Sequence, residues 1–290
     1  NQLQSVVIRG NQAYLPNICA SPTDPLVFNN ETMSFVNVID NVNGGQQTDA
    51  SLTKFFQGNN NLGPNLHLGS RDPEVGKKKL FFANPWAMAF TNQAGAGTAY
   101  VVAAASDLLV KVNVAADGAI SFTGGGTTPS NLDTTRYIDL NDPKNPATSG
   151  ANAGKNPVGI IANDAGTIAY VNNFVSRNVS VVNLLNDSVV KVIKATNLPA
   201  PGSKAELSLV GAEQFFSSRG HYNQPAGASI SIDERVSSEG WQACSSCHFK
   251  GLTDAVVWGF NTGPRKSVPL NGTLDPHDIL KNVSDQRLLN

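Results

Sequence analysis

Residues 166–193, GTIAYVNNFVSRNVSVVNLLNDSVVKVI, constrain the fold more than any other stretch, because they divide into three short apolar runs separated by polar turns. Ile168, Tyr170 and Phe174 fall in the first run, Val179, Val181 and Leu184 in the second, and Val189, Val190, Val192 and Ile193 in the third. Near-alternation of apolar, largely β-branched residues sends successive side chains to opposite faces of a strand, and NNFVSRN and NLLND carry the turn formers that reverse the chain. The segment is predicted to be an antiparallel meander. The same phrase recurs in residues 97–114, GTAYVVAAASDLLVKVNV, and in residues 11–40, where QAYLPN is followed after an insertion by SFVNVID. Abundant Gly (26), Asn and Ser, with only 2 Met, favour short strands and turns over long helices.

Recurrence of a three- or four-strand unit points to a propeller or another radial repeat. Tyr14, Tyr100 and Tyr170 mark the units at separations of 86 and 70 residues, too long for a compact blade of about 40 to 50 residues. Large insertions must intervene, and residues 43–79 and 118–155, rich in Asn, Gly, Pro, Asp and Thr, are expected to be long surface loops. The units resemble the YVTN family of β-propeller repeats, through AYVNN with VSVVN in the third unit and AYVVA and AYLPN in the others. Three units do not close a ring of about four to eight blades. The expected arrangement is the C-terminal part of a longer propeller, or one completed by other chains, with blades hidden in the insertions as the alternative. The β pattern stops at ATNLPAPGSKAELS, residues 195–208, where Pro199, Pro201 and Gly202 read as a linker. The division is therefore a β-repeat region at 1–198, a linker at 199–208 and a second domain at 209–290. The fold class is mainly β, a partial propeller, followed by a small α-helical domain that LVGAEQFF opens with Leu209, Ala212, Phe215 and Phe216 at helical spacing.

Charge excludes some partners. With 21 Lys and Arg against 22 Asp and Glu the formal net charge is -1, and 15% of residues are charged, so no basic surface argues for nucleic acid. No run approaches the roughly 18 to 20 apolar residues of a membrane helix. The chain begins at Asn1 with no basic, apolar and small-residue leader, which reads as a removed leader or as part of a longer chain. Of 3 cysteines, Cys19 is left alone and reads as a small buried apolar residue.

The other two cysteines carry the chemistry. SSEGWQACSSCHFKG places Cys244, Cys247 and His248 in immediate order. Two thiols three apart on one helical turn can each form a thioether to one edge of a single haem, and the next residue then offers its imidazole to the iron, so the pattern reads as c-type haem attachment. A thioredoxin-like dithiol would need a βαβ setting, and a zinc site would need a second ligand pair, which the sequence does not supply. The expected cofactor is one covalent haem c.

GAEQFF, GWQACSSCH, GLTD and GPRKSVPLNG together resemble the region around the first haem motif of the bacterial di-haem cytochrome c peroxidase superfamily, closest to members with YVTN-like units before the haem region. The resemblance covers about the last 80 residues, and it implies attachment of haem outside the cytoplasm: a periplasmic, outer-surface or secreted protein. Two departures bear on activity. The chain carries one haem motif where the family carries a second downstream, and residues 249–272 lack the distal histidine of the peroxidases.

For the iron's sixth position, Met33 and Met88 precede the motif and read as β core instead. His277, in DPHD, is the one histidine after the motif, read either as an axial ligand or as a polar loop residue; His221 and His67 read as loop residues, and an open iron is the remaining arrangement. Arg265 can pair with a haem propionate or hold a turn, and Trp258 reads as packing on the haem edge in preference to relaying electrons. Lys250 and Asp254 read as surface or loop polar groups. Three functions follow: an electron-transfer cytochrome serving a redox protein partner; part of a di-haem peroxidase-like enzyme acting on peroxide or on a protein; or a surface and assembly propeller with an accessory haem.

Overall fold

A computed structural model of the chain describes residues 2–20, 22, 32–44, 82–122, 137–219, 240 and 242–270. These residues are mainly β. Sheet I holds β1 (Gln2–Leu3), β2 (Val7–Arg9), β3 (Gln12–Ala20) and β4 (Thr32–Ile39), with β3 central and antiparallel to the other three. Sheet II runs β5 (Pro85–Phe90), β6 (Gly97–Ala103), β7 (Leu108–Val114) and β8 (Ile120–Phe122), and β9 (Tyr137–Asp139) also pairs with β7. Sheet III is the plain meander β10 (Pro157–Ala162), β11 (Ile168–Asn173), β12 (Asn178–Asn183) and β13 (Ser188–Lys194). The three predicted units each lie in one of these sheets.

The sheets stack face to face, with sheet II in the middle, and the Ala-Tyr pair in each unit shows how. Ala99, Val101 and Ala103 of β6 share one apolar cluster with Tyr14, Val36 and Val38 of sheet I. Tyr100 and Val102, one residue out of phase, share a second cluster with Ala169, Val171 and Val182 of sheet III. Period-two alternation thus lets a single strand serve two seams. Full burial of each such Leu, Val or Ile stabilises by roughly 1.5–3 kcal/mol. Met88 belongs to the first cluster and is 3% exposed, as read from the sequence, while Met33 is half-buried on β4 opposite Cys19, itself buried.

Polar ties lock the seams. Arg9 is buried, donating from Nε to the Asn92 carbonyl at 2.9 Å and from Nη2 to Asn92 Oδ1 at 2.8 Å and the Gly95 carbonyl at 2.6 Å. Tyr14 donates its hydroxyl to the Gly118 carbonyl at 2.9 Å. Between sheets II and III, Tyr100 donates to Asp187 Oδ1 at 2.6 Å and Lys111 to Asp187 Oδ2 at 2.5 Å. Gly166 has φ +65° and lies so close to the Thr91 carbonyl that a Cβ would fall 1.9 Å from its oxygen, so this turn admits only glycine.

Three sequence expectations change. Residues 118–155 are not wholly a surface loop: β8 and β9 lie in them, and Ile120, Ile138, Leu140 and Ala153 are buried because they fill the seams. The linker ends earlier than expected, since helix α1 (Lys204–Phe216) starts four residues after Ala200, with Ser203 accepting the Glu206 N–H at 3.1 Å and Glu206 reaching back to the Gly202 N–H. After residue 209 the described residues do not build a helical domain. Beyond α1 they form the one-turn helix α2 (Cys244–Cys247), a 3-10 turn and the hairpin β14 (Val257–Phe260) and β15 (Gly263–Lys266), because VVWGF favours a strand and Pro264 cannot sit inside a helix. No ring of sheets closes among the described residues, and no helix among them is long and apolar enough to cross a membrane.

Candidate cofactor-attachment site

Helix α2 sits against the β stack by its serine face. Ser245 and Ser246 are buried at 6% and 2% exposure, whereas Cys244 and Cys247 are half-buried. Asn84, held at φ 55° before β5, donates to Ser245 Oγ at 3.0 Å and accepts from Ser246 Oγ at 2.7 Å. Ser246 Oγ also accepts the Ala243 N–H at 3.0 Å, and Gln2 of β1 donates to the Ser246 carbonyl at 2.5 Å. Ala243 packs with Ala83 and Ala105. The two residues between the cysteines therefore dock the turn on sheets I and II, and the cysteines at its ends stay half-buried.

The chain beyond α2 is fixed to it by backbone bonds. His248 N–H reaches the Cys244 carbonyl at 3.0 Å, Gly251 N–H the His248 carbonyl at 2.9 Å, and Asp254 N–H the Cys247 carbonyl at 3.0 Å. Lys250 supplies the reversal with φ 52° and is exposed. The chain then runs out through the hairpin and returns, so that the Val268 carbonyl lies 2.9 Å from His248 Nδ1. A carbonyl oxygen can only accept, so Nδ1 carries a proton, and in the neutral ring Nε2 is the nitrogen that holds the lone pair. A metal-binding histidine is oriented in this way, with its second nitrogen donating to a carbonyl.

The Cys247 thiol does not suit the attacking role in thiol–disulfide exchange. Burial, with smaller contributions from the nearby Asp254 carboxylate and Cys244, pushes the Cys247 thiol up to about 11. Exchange-active cysteines are shifted the other way. Nor is a multidentate metal site formed by side chains alone: no group of three His, Cys, Asp or Glu gathers among the described residues.

Trp258 and Arg265 lie directly opposite each other in the hairpin. Trp258 is 8% exposed and donates its indole N–H to Asp254 Oδ2 at 2.9 Å. Arg265 is exposed, and its guanidinium turns back to the carbonyls of Pro264 at 3.0 Å and Thr262 at 3.3 Å. Lys250 places Nζ 5.4 Å from the Phe249 ring centre. His67, His221 and His277 lie outside the described residues. Sequence reasoning missed Val268, Ser267, Asn84, Ser245 and Ser246; the first two become site residues only through the return of the hairpin, and Asn84 through a contact across 161 residues.

The motif also lies close to a buried charge cluster at the end of α1. Arg219 donates from Nη1 to Asp139 Oδ1 at 2.5 Å and from Nη2 to Asp139 Oδ2 at 3.2 Å, and Lys155 donates to Glu213 Oε1 at 2.7 Å. Ser218 bonds the Ala105 carbonyl through both its N–H and its hydroxyl. These bonds join the segment after the linker to sheet II.

No family model matches the chain, and no curated protein matches it. Among solved structures it is similar to a functionally unknown protein from Desulfotomaculum acetoxidans, at 12% identity and a TM-score of 0.36, over 68% of this chain and 44% of that one. The chain thus spans less than half the length of that structure.

Proposed function

We propose that this chain is an extracytoplasmic c-type cytochrome that transfers single electrons, with one haem joined to Cys244 and Cys247 and His248 as the iron's proximal ligand. The observation that carries the reading is the 2.9 Å contact between His248 Nδ1 and the Val268 carbonyl, which leaves Nε2 as the metal-binding nitrogen. The residues fit the group in two further ways: the half-buried cysteines stand at the two ends of one helical turn, and Leu252, Val257, Phe260 and Val268 nearby in sequence are exposed apolar side chains that a flat apolar ligand could cover. When bound, haem supplies a one-electron iron couple. The protein's part is to hold the thiols and imidazole on a turn docked on a rigid stack, so that little rearrangement accompanies a change of charge. His277 is the candidate for the sixth ligand, with a polar loop role for it and an open iron as the alternatives.

The three stacked sheets are read as blades of a YVTN-type propeller. Support comes from the repeated Ala-Tyr phrase: Tyr14 packs towards sheet II and Tyr100 towards sheet III, while Tyr170 is 44% exposed beside Ile161 at 66% on the outer face of sheet III. That face is the one on which a further blade, from this or another chain, would continue the series. The wider identification, as a relative of the di-haem cytochrome c peroxidases, rests on the sequence motifs.

The test is expression of the full chain in a host with haem-attachment machinery, followed by acid-acetone extraction and a haem stain of the denatured polypeptide. Colour that stays with the wild type and is lost when Cys244 and Cys247 are both replaced by Ala supports the reading; a colourless wild type refutes it. A low-spin oxidised spectrum supports electron transfer, and a high-spin spectrum that responds to peroxide favours the peroxidase-like enzyme instead.

A further inference from the structure

We infer that Asp254 is the positioning residue for His248, acting through Ser267 and the Val268 carbonyl; this rests on the haem reading above. Asp254 Oδ1 accepts from Ser267 Oγ at 2.6 Å and from the Val256 N–H at 3.1 Å, and Oδ2 accepts from Trp258 Nε1 at 2.9 Å. Its own N–H is bound to the Cys247 carbonyl at 3.0 Å and lies 3.3 Å from Ser267 Oγ. One residue therefore ties the C-terminal end of the motif's helical turn to the strand that returns over it. Thr253 Oγ1 adds a 3.0 Å contact to the same Ser267 hydroxyl.

The tie matters because of where the hairpin stops. β15 ends at Lys266, so residues 267–270 have no sheet partner among the described residues. Ser267 is held by Asp254, and Leu270 N–H by the Gly251 carbonyl at 2.8 Å. The Val268 carbonyl hangs between these two anchors, and it is the acceptor that fixes the His248 ring. A hydrogen bond at Nδ1 orients a ligating imidazole and raises its basicity, and a basic ligand favours ferric over ferrous iron. Loss of the Ser267 anchor lets the carbonyl swing, and the imidazole becomes a weaker donor.

The full haem-loaded chain is compared as wild type, Asp254→Ala, Asp254→Asn and Ser267→Ala, by proton NMR of the His248 Nδ1–H in the ferrous state and by redox titration. Asp254→Ala and Ser267→Ala are expected to speed exchange of the Nδ1–H with solvent and raise the potential, by about 59 mV for a tenfold loss of ferric stabilisation. Asp254→Asn keeps an acceptor for Ser267 and should recover most of the shift. Ser267→Ala removes one hydroxyl and keeps the inference falsifiable even if Asp254→Ala fails to fold: an unchanged Nδ1–H exchange rate and potential in that variant overturns it. Failure of the haem reading shows separately, as a wild type with no covalent haem. In that case nitrogen NMR of His248 in the haem-free chain decides the relay. A proton held on Nδ1 in the wild type and redistributed to Nε2 in Ser267→Ala supports it, and identical tautomers overturn it.

Discussion

Replacing Arg219 by Met tests how firmly the segment after the linker is built into the β stack. Arg219 and Asp139 form a two-pronged pair whose side chains are 3% and 8% exposed, with a further reach from Nη1 to the Ser106 carbonyl at 3.4 Å. Removing one partner of a buried pair leaves the other charge uncompensated, at a cost of about 3–5 kcal/mol. That is a large share of the roughly 5–15 kcal/mol that separates folded from unfolded protein. The loss should depend on pH. Asp107 is already raised above its ordinary value of 3.8, chiefly by burial, and Arg219 is the largest influence holding it down. Without Arg219 it rises further. A carboxyl with a raised folded value contributes stability that is fully present below its unfolded value and is lost as pH climbs through the folded one. The Arg219→Met penalty should therefore be smaller near pH 5 than near pH 8. The assay is urea unfolding at both pH values, followed by tryptophan fluorescence and far-ultraviolet circular dichroism. The double variant Arg219→Met with Asp139→Leu should recover part of the loss, because Asp139 is no longer stranded while the buried Asp107 carboxyl still lacks Arg219. A single-variant penalty under about 0.5 kcal/mol, in the range of ordinary surface changes, would refute the argument.

Two further outcomes follow from the same packing. Leu109→Ala, at a fully buried position in the seam between sheets II and III, should cost about 2–5 kcal/mol in denaturant unfolding, and a loss below that range would mean the seam closes over the gap. Glu213 is raised above its ordinary value of 4.5 mainly by burial, against the opposing pull of Lys155, so its contribution is present below that value and is lost as pH rises through the folded one. Melting temperatures of wild type and Glu213→Gln measured across that window should show the wild type losing ground as pH rises; a wild type that gains instead means the Lys155 attraction outweighs burial.

Sheet III was legible in the sequence because its strands are joined by short turns and alternate regularly, so local pattern and final structure coincide. β5 was not, since PWAMAF has no alternation and gains its place only between sheets I and III. β8 and β9 are three residues each and vanish among Gly, Thr and Asp, although Tyr137, Ile138 and Leu140 form a cluster that could have marked a buried strand. The start of α1 had a readable signal in Ser203 followed three residues on by Glu206, obscured by the prolines just before it. At the site, Cys244, Cys247 and His248 were named from spacing alone because their chemistry is local. Val268 and Ser267 could not be, because an acceptor for the histidine is chosen by how the hairpin returns, and Asn84 could not be, because it meets the motif only after two sheets have stacked.

The Ala-Tyr alternation gives the stack a sense of direction: in sheet II Ala99 faces the sheet before and Tyr100 the sheet after, and Tyr14 of sheet I and Ala169 of sheet III keep the same sense. Energetically such an array behaves as a row in which each member feels its immediate neighbours and little else. Damage at the Tyr14 seam should then loosen sheet I while the Tyr100 seam keeps its strength, and the opposite damage should do the reverse. The motif turn is the exception to this insulation. Through Gln2 and Asn84 it bonds to the first and middle sheets at once, so it acts as a staple across one seam and couples what the row would otherwise keep apart.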